Sequence, residues 1–295
     1  MAFKMLRAGM LIGLLLLGMG SLVLPPASSA KDISNEDRMA LLKTFAGEFI
    51  DVTPGAGKFP AAFDMGSAEG EATEQPLHKV TIAYKFAMAK YEVPQNLYEA
   101  VMGQNPSKWK GPRNSVEMFT WGDAREFCTR LTQLLHEAKL IAPEEEIRLP
   151  TEAEWEYCCR AGTKTAYSFG DEATADGDAG NKASLLNAFG WHTGNAAGND
   201  PPVGALKPNP WGFYDMHGYL WEFVADEWHA SYRDAPADGN AWTGARAPEQ
   251  IVLRGGSWKD RFEGLRSASR RPFSSTASDD AVGFRCVKVR RVPAP

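Results

Sequence analysis

Four cysteines, Cys128, Cys158, Cys159 and Cys286, are the residues best suited to redox or soft-metal chemistry. In an oxidising compartment they could instead form disulfides, and four thiols allow three full pairings. Adjacent Cys158 and Cys159 cannot readily bridge each other without a strained ring. If one long-range bridge forms, one of this pair joins Cys128 or Cys286, and the sequence by itself does not choose. The five histidines, His78, His136, His192, His217 and His229, are scattered. None forms an HxxxH or HExxH pair of the sort a helix presents to zinc or iron. A net charge of −5 argues against the broad cationic surface that phosphate-backbone binding requires, so no nucleic-acid partner is expected.

The elements that must position these residues follow from pattern. Lys4 and Arg7, the apolar run Met10 to Leu24, Pro25, Pro26 and the small residues Ala27 to Ala30 read as a signal peptide over residues 1–30, cleaved after Ala30. Periplasmic or secreted localisation is expected, with no membrane anchor, since no nearby thiol could carry a lipid. A helical extension over residues 31–48 follows, with Ser34 and Asp37 as a capping box ahead of Met39, Leu41, Leu42 and Phe45. The main domain spans residues 49–292. It opens with two extended pieces split at residues 54–57, then strands between Lys79 and Val93. Helices are expected from Pro94 to Met102, from about Trp121 to Leu140 with Ala124, Phe127, Leu131 and Leu134 facing the core, and from Thr151 and Glu154 through Cys159. Beyond Gly162, Gly, Asn, Asp and Ser punctuated by Trp and Phe give about ninety residues of loop. Strands return at Ile251–Arg254, Gly264–Ser269 and Gly283–Val289. The 28 Gly, 19 Pro and nine Trp fit a loop-rich fold pinned by aromatics.

Five ordered phrases then stand out: MGS at 65–67, RLPTEAEWEYCCRAG at 148–162, NPWGFYDMHGYLWEF at 209–223, RGGSW at 254–258 and GFRC at 283–286. Together they resemble the formylglycine-generating-enzyme, or sulfatase-modifying-factor, family across nearly the whole chain after residue 30. The resemblance implies an α+β, C-type-lectin-like single domain with short antiparallel sheets. It implies a disulfide between Cys159 and Cys286, worth about 4 to 5 kcal/mol in the chain-entropy model, with Cys128 and Cys158 left as buried thiols. It also implies a structural calcium held by the Asp215 and Glu222 carboxylates and the Gly218 and Leu220 carbonyls, hard oxygen donors that suit this ion. The alternative for the same carboxylates is a structural turn, with Asp215 capping a backbone amide and Glu222 paired with an arginine. The family's Asn in this loop is Tyr219 here.

At the family's active site two cysteines follow the GGS motif and bind copper(I). Those places hold Asp260 and Leu265, and no cysteine occurs between Ser257 and Ser278. Soft thiolates select Cu(I), so copper is not expected and formylglycine generation by that mechanism is excluded. The inherited cleft would be rimmed by Ser257, Trp258, Asp260, Arg261, Glu263, Arg266 and Arg270, with Tyr219 and Trp221 beside it. An acid among arginines could orient a peptide or anionic ligand. The bland alternative is a salt-bridge network covering the last strands. Trp155, Trp211 and Trp221 are expected as core pins. The expected function is a monomeric module that binds a peptide or small molecule. The alternative is a periplasmic oxidoreductase acting on a protein or siderophore peptide, because relatives implicated in pyoverdine maturation lack the cysteine pair too.

Overall fold

Each long helix begins where the sequence supplies a cap. A computed structural model describes residues 33–197, 200–244 and 247–291. The segment expected as a signal peptide lies outside the described residues. Helix α1 (Asn35–Gly47) starts at Ser34, whose hydroxyl accepts from the Asp37 amide. Helices α3 (Trp121–Glu137) and α4 (Glu152–Arg160) carry reciprocal capping boxes, Thr120 with Asp123 and Thr151 with Glu154. Helix α2 (Gln95–Met102) follows Pro94 and stops at Gly103, which is left-handed at φ 79°. On α3, Ala124, Phe127 and Leu131 are buried as expected, with Leu135 rather than Leu134 completing the face.

Among the described residues, ten strands make three sheets. The first is antiparallel, β1 (Phe49–Val52), β4 (Phe86–Ala89), β10 (Val287–Arg290) and β5 (Glu145–Arg148), in that order. A small hairpin pairs β2 (Ala62–Met65) with β3 (His78–Thr81). The third sheet runs β8 (Arg270–Ser274), β7 (Gln250–Arg254), β6 (Trp221–Glu227) and β9 (Val282–Gly283), with β6 parallel to β9. The first sheet's alternating residues face two cores. Val52, Met88 and Val287 join α4's Trp155 and Tyr157, whereas Ala89, Ile147 and Cys286 join Phe127 and Leu131 of α3.

Four elements depart from expectation, the first being the strand expected over Gly283–Val289, which is split into β9 and β10 in different sheets. Strand β6 lies inside the stretch read as loop, because Trp221–Val224 is buried on both faces and shows no polar alternation. Strand β5 carries Glu145 and Glu146 at a sheet edge, a composition that hides it. The strand expected at Gly264–Ser269 is a 3-10 turn over Phe262–Leu265, with the strand displaced to β8. Trp155, Trp211 and Trp221 are all buried, as their role as core pins requires.

Candidate functional site

Strand β7 delivers Ser257 through Gly255 and Gly256, both left-handed at φ 100° and 75°. A Cβ on Gly256 would lie 2.8 Å from the Leu265 side chain, so only glycine permits this approach. The following turn closes on Asp260. Its Oδ2 accepts from the Ser257 amide at 3.0 Å, the Ser257 hydroxyl at 2.5 Å and the Trp221 indole N–H at 2.7 Å. Leu265 is fully buried in a small apolar cluster with Tyr167, Ala173, Ala183 and Leu186. One position is thus a turn-closing carboxylate and the other a core side chain.

The arginines do not converge on this turn. Arg266 makes a bidentate pair with Glu74 at 2.7 Å on both arms and lines a separate, polar cleft of about 890 Å³ with Arg160 and Lys164. Arg270 is buried against Glu152, at 2.7 and 3.0 Å, between the rings of Trp228 and Tyr232. Arg261 and Glu263 pair with each other in solvent. The salt-bridge alternative therefore describes Arg266 and Arg270, and the single arginine-rimmed cleft is corrected: fixed carboxylate partners draw these side chains apart.

Around the proposed calcium loop three carboxylates are buried together. Glu222 is held by Arg285 through two 2.7 Å bonds and by the Trp155 indole at 3.0 Å. Asp215 Oδ2 accepts from the Gly204 amide at 2.7 Å. This is the turn geometry, with Glu222 already satisfied by a guanidinium. Two oxygens nevertheless lack partners, Asp215 Oδ1 and Glu92 Oε2. Burial raises Asp215 to about 6, opposed by the Gly204 amide and Arg285 and reinforced by Glu222. Glu92 is raised by burial and by both other carboxylates. Among the described residues no group of three or more His, Cys, Asp or Glu is arranged to hold a metal. The fit to calcium is thus partial: Asp215 Oδ1 has a free oxygen, and Glu222 does not.

The thiols are arranged differently from the expected Cys159–Cys286 disulfide. All four cysteines are free and buried. Cys286 faces the α3 core, with its sulfur 3.9 Å from that of Cys128. Cys159 sits in the other core, 3.9 Å from the His217 ring and 3.5 Å from the Met216 carbonyl. The two lie on opposite sides of the first sheet, because Cys286 and Val287 point to opposite faces. Burial pushes the Cys159 thiol up to about 12 and holds the His217 imidazole down at about 4, so neither is a reactive ion at neutral pH.

Beside the Ser257 turn opens a cavity of about 580 Å³ whose walls include Trp109, Tyr219, Leu220 and Trp258. Tyr219 adopts φ 116°, an uncommon value for a side chain of its size, and is held by hydroxyl bonds to Asp200 Oδ1 at 3.1 Å and the Pro201 carbonyl at 2.6 Å. Of the sequence candidates, Trp258, Tyr219 and Leu220 reach this cavity. Sequence reasoning missed Trp109 and Glu117 there. The available signal was a charged residue inside the apolar run Val116–Phe119, where burial of the acid implies a dedicated partner.

Comparison with known proteins agrees with this architecture. A family model described as the sulfatase-modifying factor enzyme 1-like domain matches residues 51–290. The chaperone protein LppX of Paenibacillus barcinonensis is 30% identical over 236 residues, covering 69% of this chain and 80% of that protein. The formylglycine-generating enzyme of Mycobacterium tuberculosis is 33% identical over 157 residues, 48% of this chain and only 50% of the enzyme. Among solved structures, PvdO from Pseudomonas aeruginosa superimposes with a TM-score of 0.68 at 27% identity, over 82% of this chain and 94% of PvdO. Because the match embraces both cores and the Ser257 turn, this chain belongs to the sulfatase-modifying-factor, formylglycine-generating-enzyme-like family.

Proposed function

We propose that this protein is an exported binding module that takes a peptide or small molecule in the cavity walled by Trp109, Tyr219 and Trp258. The observation that carries the reading is the contrast at the Ser257 turn. Asp260 is consumed by three internal donors and Leu265 by the core, while the adjoining concave, aromatic surface is open. Aromatic walls supply contact area at low entropic cost, and buried polar groups at the floor supply selectivity. Calorimetry against a panel of short peptides and amino-acid amides tests it. Compounds that bind are expected to lose at least about tenfold in affinity in Trp258→Ala, a change typical of a buried aromatic contact. Binding indifferent to that substitution would place the ligand elsewhere.

Likeness to PvdO favours a second reading, an oxidoreductase of the same family acting on a peptidic substrate. It differs from the first in requiring a redox partner and turnover. Export rests on the pattern of residues 1–30. Among the described residues no helix is long and apolar enough to cross a membrane. N-terminal sequencing of protein recovered outside the cytoplasm is expected to begin at Lys31, and retention of residues 1–30 would contradict cleavage. A structural calcium is proposed at Asp215 Oδ1, with the Gly218 and Leu220 carbonyls and with the other unpartnered oxygen, Glu92 Oε2, as a further donor in place of the arginine-bound Glu222. The ion would add positive charge to three buried carboxylates that share the single guanidinium of Arg285.

A further inference from the structure

Among the described lining residues of the aromatic cavity, one carboxylate has an oxygen without a hydrogen-bond partner. Glu117 is 3% exposed and lines the wall. Its Oε1 accepts from the backbone amides of Lys108 at 2.5 Å and Trp109 at 3.0 Å, while Oε2 is buried with no partner. The other charged groups described in the lining are ion-paired or hydrogen-bonded. Asp280 binds the ammonium groups of Lys108, at 3.0 Å, and of Lys259, and Lys259 also reaches Asp279 at 3.0 Å. Asp200 accepts from the Tyr219 hydroxyl at 3.1 Å and from Asn114 at 2.6 Å. An anionic ligand would therefore find no free cation among the described lining residues and would meet Glu117. A neutral ligand without a donor would leave a buried carboxylate oxygen unpaired.

The rings favour a cation as well. The ammonium groups of Lys108 and Lys259 already lie 4.8 and 5.2 Å from the ring centroids of Trp109 and Trp258. Electron-rich indole faces beside an unpaired carboxylate are the chemistry that recognises alkylammonium groups. Resting on the binding reading above, we infer that the cavity selects a protonated amine carried on an apolar or aromatic body, with the ammonium donating to Glu117 Oε2. Burial raises the Glu117 carboxyl, against the pull of the Trp109 and Lys108 amides, and an ammonium beside it would favour the ionised form.

Two probes of matched shape and opposite charge test this on the full protein: phenethylamine and 3-phenylpropionate, titrated calorimetrically. The amine is expected to bind at least about tenfold more tightly, as a charge-assisted hydrogen bond in a desolvated site provides. Glu117→Gln, which retains an acceptor for the two amides, is expected to abolish the preference. Equal binding of the two probes, or preference for the carboxylate, overturns the amine inference and leaves the binding reading standing. Failure of both probes to bind overturns the amine inference, and the peptide panel then decides the cavity independently. Should Glu117→Gln fold poorly, the carboxyl ¹³C resonance of Glu117 in the unsubstituted protein provides the readout. It is expected to move on addition of phenethylamine and not of 3-phenylpropionate, and an unmoved resonance under saturating amine overturns the proposal.

Discussion

Asp215 and Glu222, seven residues apart on either side of the start of β6, show how two like residues take different states. Glu222 stays paired because Arg285 meets both its oxygens, whereas Asp215 has a single amide donor and a bare second oxygen. With its carboxyl raised from 3.8 to about 6, Asp215 favours the folded state below the unfolded value and loses that contribution as pH rises through the folded one. In chelator, Asp215→Asn is expected to gain about 2 to 3 kcal/mol relative to the parent between pH 4 and pH 7, measured by denaturant unfolding. Calcium at neutral pH should reverse the order, because Asn forfeits the ionic ligand. A difference that ignores both pH and calcium would remove Asp215 from the proposed site. The thiols give a second prediction at this scale. Mild oxidation is expected to link Cys128 to Cys286, whose sulfurs already lie 3.9 Å apart, as read by mass spectrometry of unreduced peptides. A Cys159–Cys286 peptide would contradict the observed division of the cores. The pairing was not legible in the sequence, because it depends on which face of the first sheet each thiol occupies.

Helices were the legible elements, since caps and apolar spacing are local. Thr151 shows the limit of that locality: its hydroxyl accepts from the Glu154 amide as the capping box requires, yet it also donates to the Gly239 carbonyl at 2.9 Å. Strand β6 was illegible because a strand buried on both faces has no period to read. The loop before it is governed by close approach instead. A Cβ on Gly218, at φ 108°, would stand 2.4 Å from both a Leu265 methyl and the Trp191 carbonyl. Gly218→Ala is therefore expected to destabilise by about 2 to 4 kcal/mol, a backbone and overpacking effect together. A loss under about 0.5 kcal/mol, in the range of ordinary surface changes, would show that the loop relaxes freely.

At the scale of the molecule, two cores and three sheets hold the Ser257 turn, where Asp260 and Leu265 are both engaged within the fold. RGGSW and GFRC were readable as family signatures, but their structural duties were not. Arg254 of the first motif is buried with its guanidinium on Glu156 and on the Ser267, Ala268 and Ser269 carbonyls. Arg285 of the second neutralises Glu222. Conservative-looking motifs thus hold the last strands in place, and their presence does not report catalysis. The aromatic cavity was only half legible, through Trp258 and Tyr219, because Glu117 and Trp109 reach it from a distant stretch of chain. The most direct test of whether thiolate chemistry is absent is anaerobic copper(I) titration of the purified protein, followed by oxygen-uptake and aldehyde assays on a cysteine-containing sulfatase peptide. Asp260 and Leu265 lead us to expect no stoichiometric copper and no aldehyde, whereas one equivalent of copper with aldehyde formation would contradict the account.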